Sequence, residues 1–218
     1  MKNSKNSLYF YANPANAYRF YCTYQDADYK KLYSDGIFIP IILKFFGKSV
    51  ERISPDLSSL AKTVLNDAID KNYKVLFIGG TPDNISSFRS NLSSLFPKLL
   101  FSNIDGYQSD YKVYKNYVKN YNPNIIFVGL GFPLQERLLL YLSKFHSPFA
   151  GYSCGAFISQ TAHSKMYYPY IINKLNMRWF YRAILCKHVR KRLLVEYPKF
   201  FFKFLTDSRF RTFIIESF

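Results

Sequence analysis

The feature that most constrains this chain is a unit that it writes twice. Lys74 to Ile78 (KVLFI) is a short apolar run, followed by the turn Gly79-Gly80-Thr81-Pro82 and an amphipathic stretch from Asp83 to Phe96. Asn124 to Val128 (NIIFV) is followed in the same way by Gly129-Leu130-Gly131-Phe132-Pro133 and a helical pattern to about Phe145. Continuous apolar runs of this length suit strands buried on both faces, as in a parallel sheet sandwiched between helices. The expected class is therefore α/β, with a mainly parallel sheet flanked by helices.

The rest of the chain extends that pattern. A strand over Leu8 to Ala12 leads into a helical stretch opened by Asn13 and Pro14, and a short β-like stretch precedes Asp35-Gly36 and an apolar helix. A helix is expected from about Pro55 to Lys71, a strand over Leu99 to Phe101, a turn at Asp105-Gly106-Tyr107, a helix over Tyr111 to Asn120 and a strand over Phe149 to Tyr152. From Thr161 onward strand signals and glycine vanish, and 12 Lys and Arg face three acids. The expected division is a core over residues 1–160 and a basic, aromatic, helical C-terminal appendage over 161–218.

Composition narrows the function. Hydrophobic residues make up 49%, enough for a real core, and the net charge of +16 favours anionic partners. Cys22, Cys154 and Cys186 form no CxxC pair, and His146, His163 and His188 have no ligand spacing, so neither a disulfide framework nor a structural or catalytic transition metal is expected. The N-terminus lacks an apolar signal region, and the run Ile37 to Phe46 is broken by Pro40 and Lys44. The expectation is a cytoplasmic protein, at most peripheral to a membrane.

Glycine turns after buried strands let a ligand approach the backbone, and the helix N-termini that follow favour phosphate through their amides and dipole. The plainer alternative is that they only make the turn; neither matches GxGxxG or a P-loop. Asp35 reads either as a helix cap or as a functional carboxylate, and Arg52 as a solvated charge or an anion contact. For Gln135 and Glu136, the alternatives are an exposed Gln beside a Glu that complements the helix dipole, or a Gln aimed into a ligand cleft.

In this order the motifs are specific. YAN ending at Asn13, SDG with Asp35, ERISPDL with Arg52, VLFIGGTP, DGY, IIFVGLGFPLQE, GAF at Gly155 to Phe157 and RWFYR at Arg178 to Arg182 together make the chain resemble the WecG/TagA/CpsF family of bacterial glycosyltransferases over about residues 8–200. The resemblance implies a Rossmann-like core whose C-terminal appendage completes the site at a membrane. It implies metal-independent, inverting transfer of N-acetylmannosamine or a related hexose from a UDP-sugar to a polyprenyl-diphosphate-linked saccharide, with no cofactor beyond that donor substrate. Asp35 falls on the proposed general base, and Asn13, Arg52 and Gln135 on active-site positions. Gly79, Gly80, Thr81, Asp105, Tyr107, Gly129 and Gly131 become candidates for holding the donor, and Arg182, Arg190 and Arg192 for holding acceptor phosphates. The chain departs from the family pattern at Tyr11, at Ser54-Pro55-Asp56, at Ile158 where Asp is common, and at Arg178.

The tail's basic and aromatic clusters suggest two or three amphipathic helices on an anionic membrane surface. Two other readings compete. One is a degenerate homologue that binds sugar nucleotide without turnover. The other is a basic nucleic-acid-binding protein, which the absence of RNP, KH and helix-turn-helix signatures disfavours, so no nucleic-acid partner is expected. Self-association is left open.

Overall fold

The structure is a computed structural model and describes residues 6–163, 184 and 190–218. In chain order the elements are β1 (Ser7–Ala12), α1 (Ala17–Tyr24), β2 (Lys31–Ser34), α2 (Phe38–Phe45), α3 (Leu60–Asp70), β3 (Val75–Gly79), α4 (Pro82–Leu95), β4 (Phe101–Ile104), α5 (Tyr111–Tyr121), β5 (Ile125–Gly129), α6 (Leu134–Leu142), β6 (Ala150–Ser153) and α7 (Phe157–His163). A π-helical turn at Arg192–Glu196 leads into α8 (Tyr197–Thr206) and α9 (Ser208–Ser217). The strands form one sheet in the order β2-β1-β6-β5-β3-β4, parallel in every pairing from β1 across to β4. This is the Rossmann-like α/β architecture that the repeated unit predicts.

The boundaries follow local chemistry. β3 is buried along its whole length, as a central parallel strand covered on both faces must be. α4 begins where Thr81 accepts the Asn84 amide at 3.3 Å, with Pro82 in the first turn. α5 is capped by Asp110, which accepts from the Lys112 amide at 2.8 Å, and ends on Asn122 in the left-handed conformation. The helix expected from Pro55 starts only at Leu60. Asp56 Oδ1 first accepts the Ser58 amide at 2.9 Å, a side-chain turn that competes with helix. β4 starts at Phe101 rather than Leu99, because the Leu99 amide closes a turn onto Phe96 O at 3.1 Å.

The described residues fall into two compact units. The first holds 6–10, 28–30 and 55–163, and its core is crossed by a row of rings in register. Tyr9 stacks on Tyr152 with centroids 4.8 Å apart, Tyr152 on Phe127 at 5.0 Å, and Phe127 on Phe77 at 5.3 Å, so one row spans β1, β6, β5 and β3. Phe88 from α4 and Phe157 from α7 meet Phe77 edge-on at 5.1 and 6.2 Å. Asn91 ties α4 to the end of α7 by donating to Thr161 O at 2.9 Å and Ala162 O at 3.2 Å.

The second unit holds residues 11–27, 31–54, 184 and 190–218. Its buried side chains include Phe20 from α1, Ile39 and Leu43 from α2, and Phe200, Phe204, Phe210 and Ile214 from α8 and α9. Phe200 meets Phe210 edge-on at 5.7 Å, and Tyr18 of α1 meets Phe210 at 5.0 Å. Lys48 donates to the Ile215 carbonyl near the end of α9. The C-terminal helices thus supply much of this unit's core, together with early segments of the chain. Much of the high aromatic content of the sequence is core in both units.

Candidate active site

The carboxyl ends of β1 and β2 bring three of the sequence candidates together. Asn13 and Asp35 are the residues that follow these strands, and the Asp35 amide donates to Ala12 O at 2.9 Å, which sets the two positions side by side. Arg52 joins them through a parallel bridge opposite Ser34, fixed by the Ile53 amide donating to Ser34 O at 3.0 Å. Arg52 Nη2 then donates to Ser54 Oγ at 2.9 Å, and Ser54 Oγ donates to Asp35 Oδ1 at 3.2 Å. Ser54 is buried and serves as the link between cation and carboxylate. In the sequence Ser54 stands out only as part of a departure from the family pattern.

The residue before α2 is Ile37, whose own side chain makes no cap hydrogen bond. Gly36, at φ +112°, makes the bend that turns the chain from β2 toward α2. Asn13 shapes its own turn: its Oδ1 accepts the Ala15 amide at 2.9 Å and its carbonyl accepts the Ala17 amide at 2.9 Å.

In the first unit the candidate donor-binding turns lie at the carboxyl ends of β3, β4 and β5, where open parallel sheets bind ligands. They are packed very tightly. A Cβ on Gly79 would lie 2.6 Å from Gly129 O, and one on Gly129 would lie 2.6 Å from Gly155 O. Gly106 donates its amide to Gly80 O at 3.0 Å, tying the DGY turn to the GGT turn. Beneath these turns lies Ile158, fully buried, within 3.0–3.3 Å of where side chains on Gly79, Gly80 and Gly129 would begin. Ile158 thus makes the floor beneath these turns apolar. Gly131 is open, with φ at +74°. Asp105 accepts the Tyr107 amide at 2.8 Å and the Gln108 side chain at 2.7 Å, which leaves the Tyr107 ring in solvent. Thr81 keeps its hydroxyl oxygen on the α4 amide described above.

Gln135 and Glu136 depart from the first of the two sequence alternatives, in which Gln135 is exposed. Both are buried, Glu136 at 0% exposure, and Gln135 bridges two elements rather than sitting exposed. Gln135 Nε2 donates to Glu136 Oε1 at 2.7 Å, and Gln135 Oε1 accepts the Gly155 amide at 3.0 Å. The start of α6 is thereby stapled to the turn after β6. Burial pushes the Glu136 carboxyl up to about 7; Gln135, its own backbone amide and the nearby Ser153 hydroxyl partly offset that. Glu136 Oε2 and Ser153 Oγ are both buried without a hydrogen bond of ordinary geometry. A proton on Oε2 would serve both, and the neutral acid is the form that burial favours. Burial also pushes the neighbouring Cys154 thiol up, so it stays uncharged.

Of the tail arginines, Arg190 and Arg192 are exposed, with Arg190 Nη1 on Ile184 O at 3.3 Å; Arg182 lies outside the described residues. No group of three or more His, Cys, Asp or Glu among the described residues is placed to hold a metal ion, and no described helix is long and apolar enough to cross a membrane.

The sequence comparisons say which class of protein this parallel α/β fold belongs to. The glycosyl transferase WecG/TagA/CpsF family matches residues 2–213, and the chain belongs to that family. It is 33% identical over 210 residues, 93% of this chain and 87% of the relative, to a UDP-Gal:alpha-D-GlcNAc-diphosphoundecaprenol beta-1,4-galactosyltransferase of Shigella boydii. It is also 33% identical over 115 residues, 51% of this chain and 44% of the relative, to an N-acetylglucosaminyldiphosphoundecaprenol N-acetyl-beta-D-mannosaminyltransferase of Staphylococcus aureus. The chain is a glycosyltransferase.

Proposed function

We propose that the chain moves a hexose from a UDP-sugar to a saccharide carried on a polyprenyl diphosphate, with inversion and without a metal, in the synthesis of a bacterial surface polysaccharide. The observation that carries this reading is the Arg52–Ser54–Asp35 relay beside Asn13. In the reaction, the acceptor hydroxyl oxygen bonds to the anomeric carbon while the bond from that carbon to the diphosphate oxygen breaks. Asp35 takes the hydroxyl proton, and UDP leaves carrying the bonding pair. Ser54 and Arg52 hold the carboxylate's orientation, and the departing diphosphate is met by backbone amides and arginines. Tyr107 is free to lie against the donor's base. The activities of the two relatives support a lipid-diphosphate acceptor; the longer match is to a galactosyltransferase, the shorter to an N-acetylmannosaminyltransferase.

The enzyme would work from the cytoplasmic side as a peripheral membrane protein, with the tail on the lipid surface. The test is incubation with a panel of UDP-sugars and N-acetylglucosaminyl-diphospholipid, scoring product by mass. A product one hexose heavier supports the reading; tight UDP binding with no product for any donor would favour a sugar-nucleotide-binding protein without turnover.

A further inference from the structure

We propose that α2 is a second membrane-docking element, which joins α8 in one apolar face that seats the protein on an anionic lipid surface. The inference rests on the reading of a membrane-surface transferase only for its consequence. Its evidence is the placement of side chains within the second unit.

α8 is apolar on two sides. Phe200 and Phe204 point into the core, while Pro198, Phe201, Phe202 and Leu205, at i, i+3, i+4 and i+7, form an outward stripe. Phe202 is 64% and Leu205 72% exposed, and Leu194 in the π-helical turn before them is 77% exposed. A helix that is apolar on both sides needs a second partner for the outer one. α2 repeats the arrangement: Ile39 and Leu43 are buried, whereas Ile41 is 46% and Phe45 86% exposed. The two helices lie side by side in the same direction, since Phe38 meets Tyr197 edge-on at 5.2 Å and Phe46 meets Phe204 edge-on at 5.6 Å.

Charge selects the partner. Residues 36–50 carry Lys44 and Lys48 and no acid, and residues 190–206 carry five basic groups against Glu196 alone. A second copy set on this face by two-fold symmetry would bring those cations against their own kind. An anionic bilayer offers hydrocarbon to the apolar side chains and phosphates to the lysines and arginines at once. Because Asp35 precedes α2 by three residues, a docked α2 holds that carboxylate within about one short helix, roughly 12 Å, of the surface where a lipid-borne acceptor lies.

The experiment sediments the full chain with phosphatidylglycerol-rich vesicles and with phosphatidylcholine vesicles. The parent should pellet with the anionic vesicles. I41S/F45S on α2 and F202S/L205S on α8 should each weaken that binding by roughly tenfold or more. Phe45→Trp in a Trp179→Phe background, where it is the sole tryptophan, should be quenched by brominated lipid. The I41S/F45S variant should still transfer to a short-chain, water-soluble acceptor and lose transfer to an acceptor embedded in vesicles. An α2 variant that pellets like the parent, with no quenching of Phe45→Trp, would overturn the proposal. So would loss of concentration-dependent self-association in place of vesicle binding, which would make the face a contact between copies. Sedimentation and quenching require no sugar transfer, so a failed transferase assay leaves this test intact.

Discussion

Ser54 stands between Arg52 and Asp35, receiving a hydrogen bond from the first at 2.9 Å and giving one to the second at 3.2 Å. A buried hydroxyl therefore links the cation to the carboxylate. Oδ1 is the carboxylate oxygen that Ser54 engages. Asp35→Asn keeps the size of the side chain and its acceptor for Ser54 but removes the base. Turnover should fall by roughly 10²-fold or more while UDP affinity, read by calorimetry, stays within a few-fold. An Asn variant that works at near-parental rate would mean that another group takes the proton.

Ser54→Ala removes the link without removing either end. Losing one hydrogen bond to a charged group is worth about 1.5–3 kcal/mol, so kcat should drop roughly 10- to 100-fold with KM for the donor little changed. Ser54→Thr, which restores the hydroxyl, should recover part of the rate. Equal losses in Ala and Thr variants would show that packing, not the relay, is what matters at this position.

Glu136 should make stability depend on pH. Its carboxyl, ordinarily near 4.5, is raised by burial to about 7 in the folded chain. The folded state therefore holds a proton that the unfolded chain releases more readily. The stability this proton contributes is fully present below about pH 4.5 and is lost as pH rises through about 7. The total is about 3 kcal/mol. Urea midpoints measured from pH 5 to 8 should decline for the parent and run flatter for Glu136→Gln, whose amide reproduces the neutral acid's donor and acceptor. Parallel slopes in the two proteins would remove Glu136 from the account.

Glycine at 129 and at 131 should fail for different reasons when replaced. Gly129→Ala drives a Cβ to 2.6 Å from Gly155 O, so the melting temperature should fall with a loss of about 1–3 kcal/mol. Gly131 has room but a left-handed backbone, so Gly131→Asn should cost less than Gly131→Val. A Gly129→Ala protein as stable as the parent would show that the turns after β5 and β6 can move apart.

Activity should survive EDTA. The chain does carry one Asp-x-Asp triplet, Asp26-Ala27-Asp28, but it lies between the end of α1 and the start of β2, at the amino side of the strand whose carboxyl end leads to Asp35. A diphosphate held near Asp35 would instead meet amides and arginines. Activity abolished by EDTA and restored by manganese would overturn this and call for Asp26→Asn and Asp28→Asn.

Much of this architecture is legible in the residues alone. The runs KVLFI and NIIFV read as buried strands because a fully covered parallel strand has no polar face to mask the signal, and the glycine and proline after each mark the turn and helix start. Asp35, Asn13 and Arg52 stand out because each follows a strand or sits in a distinctive motif. The roles of Ser54, Gln135 and Glu136 are not legible. Ser54 gains its role from a bridge between residues 34 and 52, and Gln135 from an amide 20 positions away at Gly155; local periodicity carries no trace of either. An acid in the first turn of a helix ordinarily faces water and the dipole, so nothing in the sequence announces that Glu136 is buried. The inner and outer apolar stripes of α8 likewise look the same until the fold shows which one the core takes.

The interleaving of the two units bears on how such enzymes diversify. β1 contributes residues 7–10 to one unit and its last two, Tyr11 and Ala12, to the other, and the C-terminal helices pack with segments that precede residue 55. A genetic crossover at a single point, or a C-terminal truncation, would therefore separate Phe200 and Phe210 from Phe20 and Leu43 rather than exchange one module for another. New donor or acceptor preferences in this lineage have to arise by substitutions within an intact chain. Hybrids built by domain grafting should need five junctions to keep this unit whole.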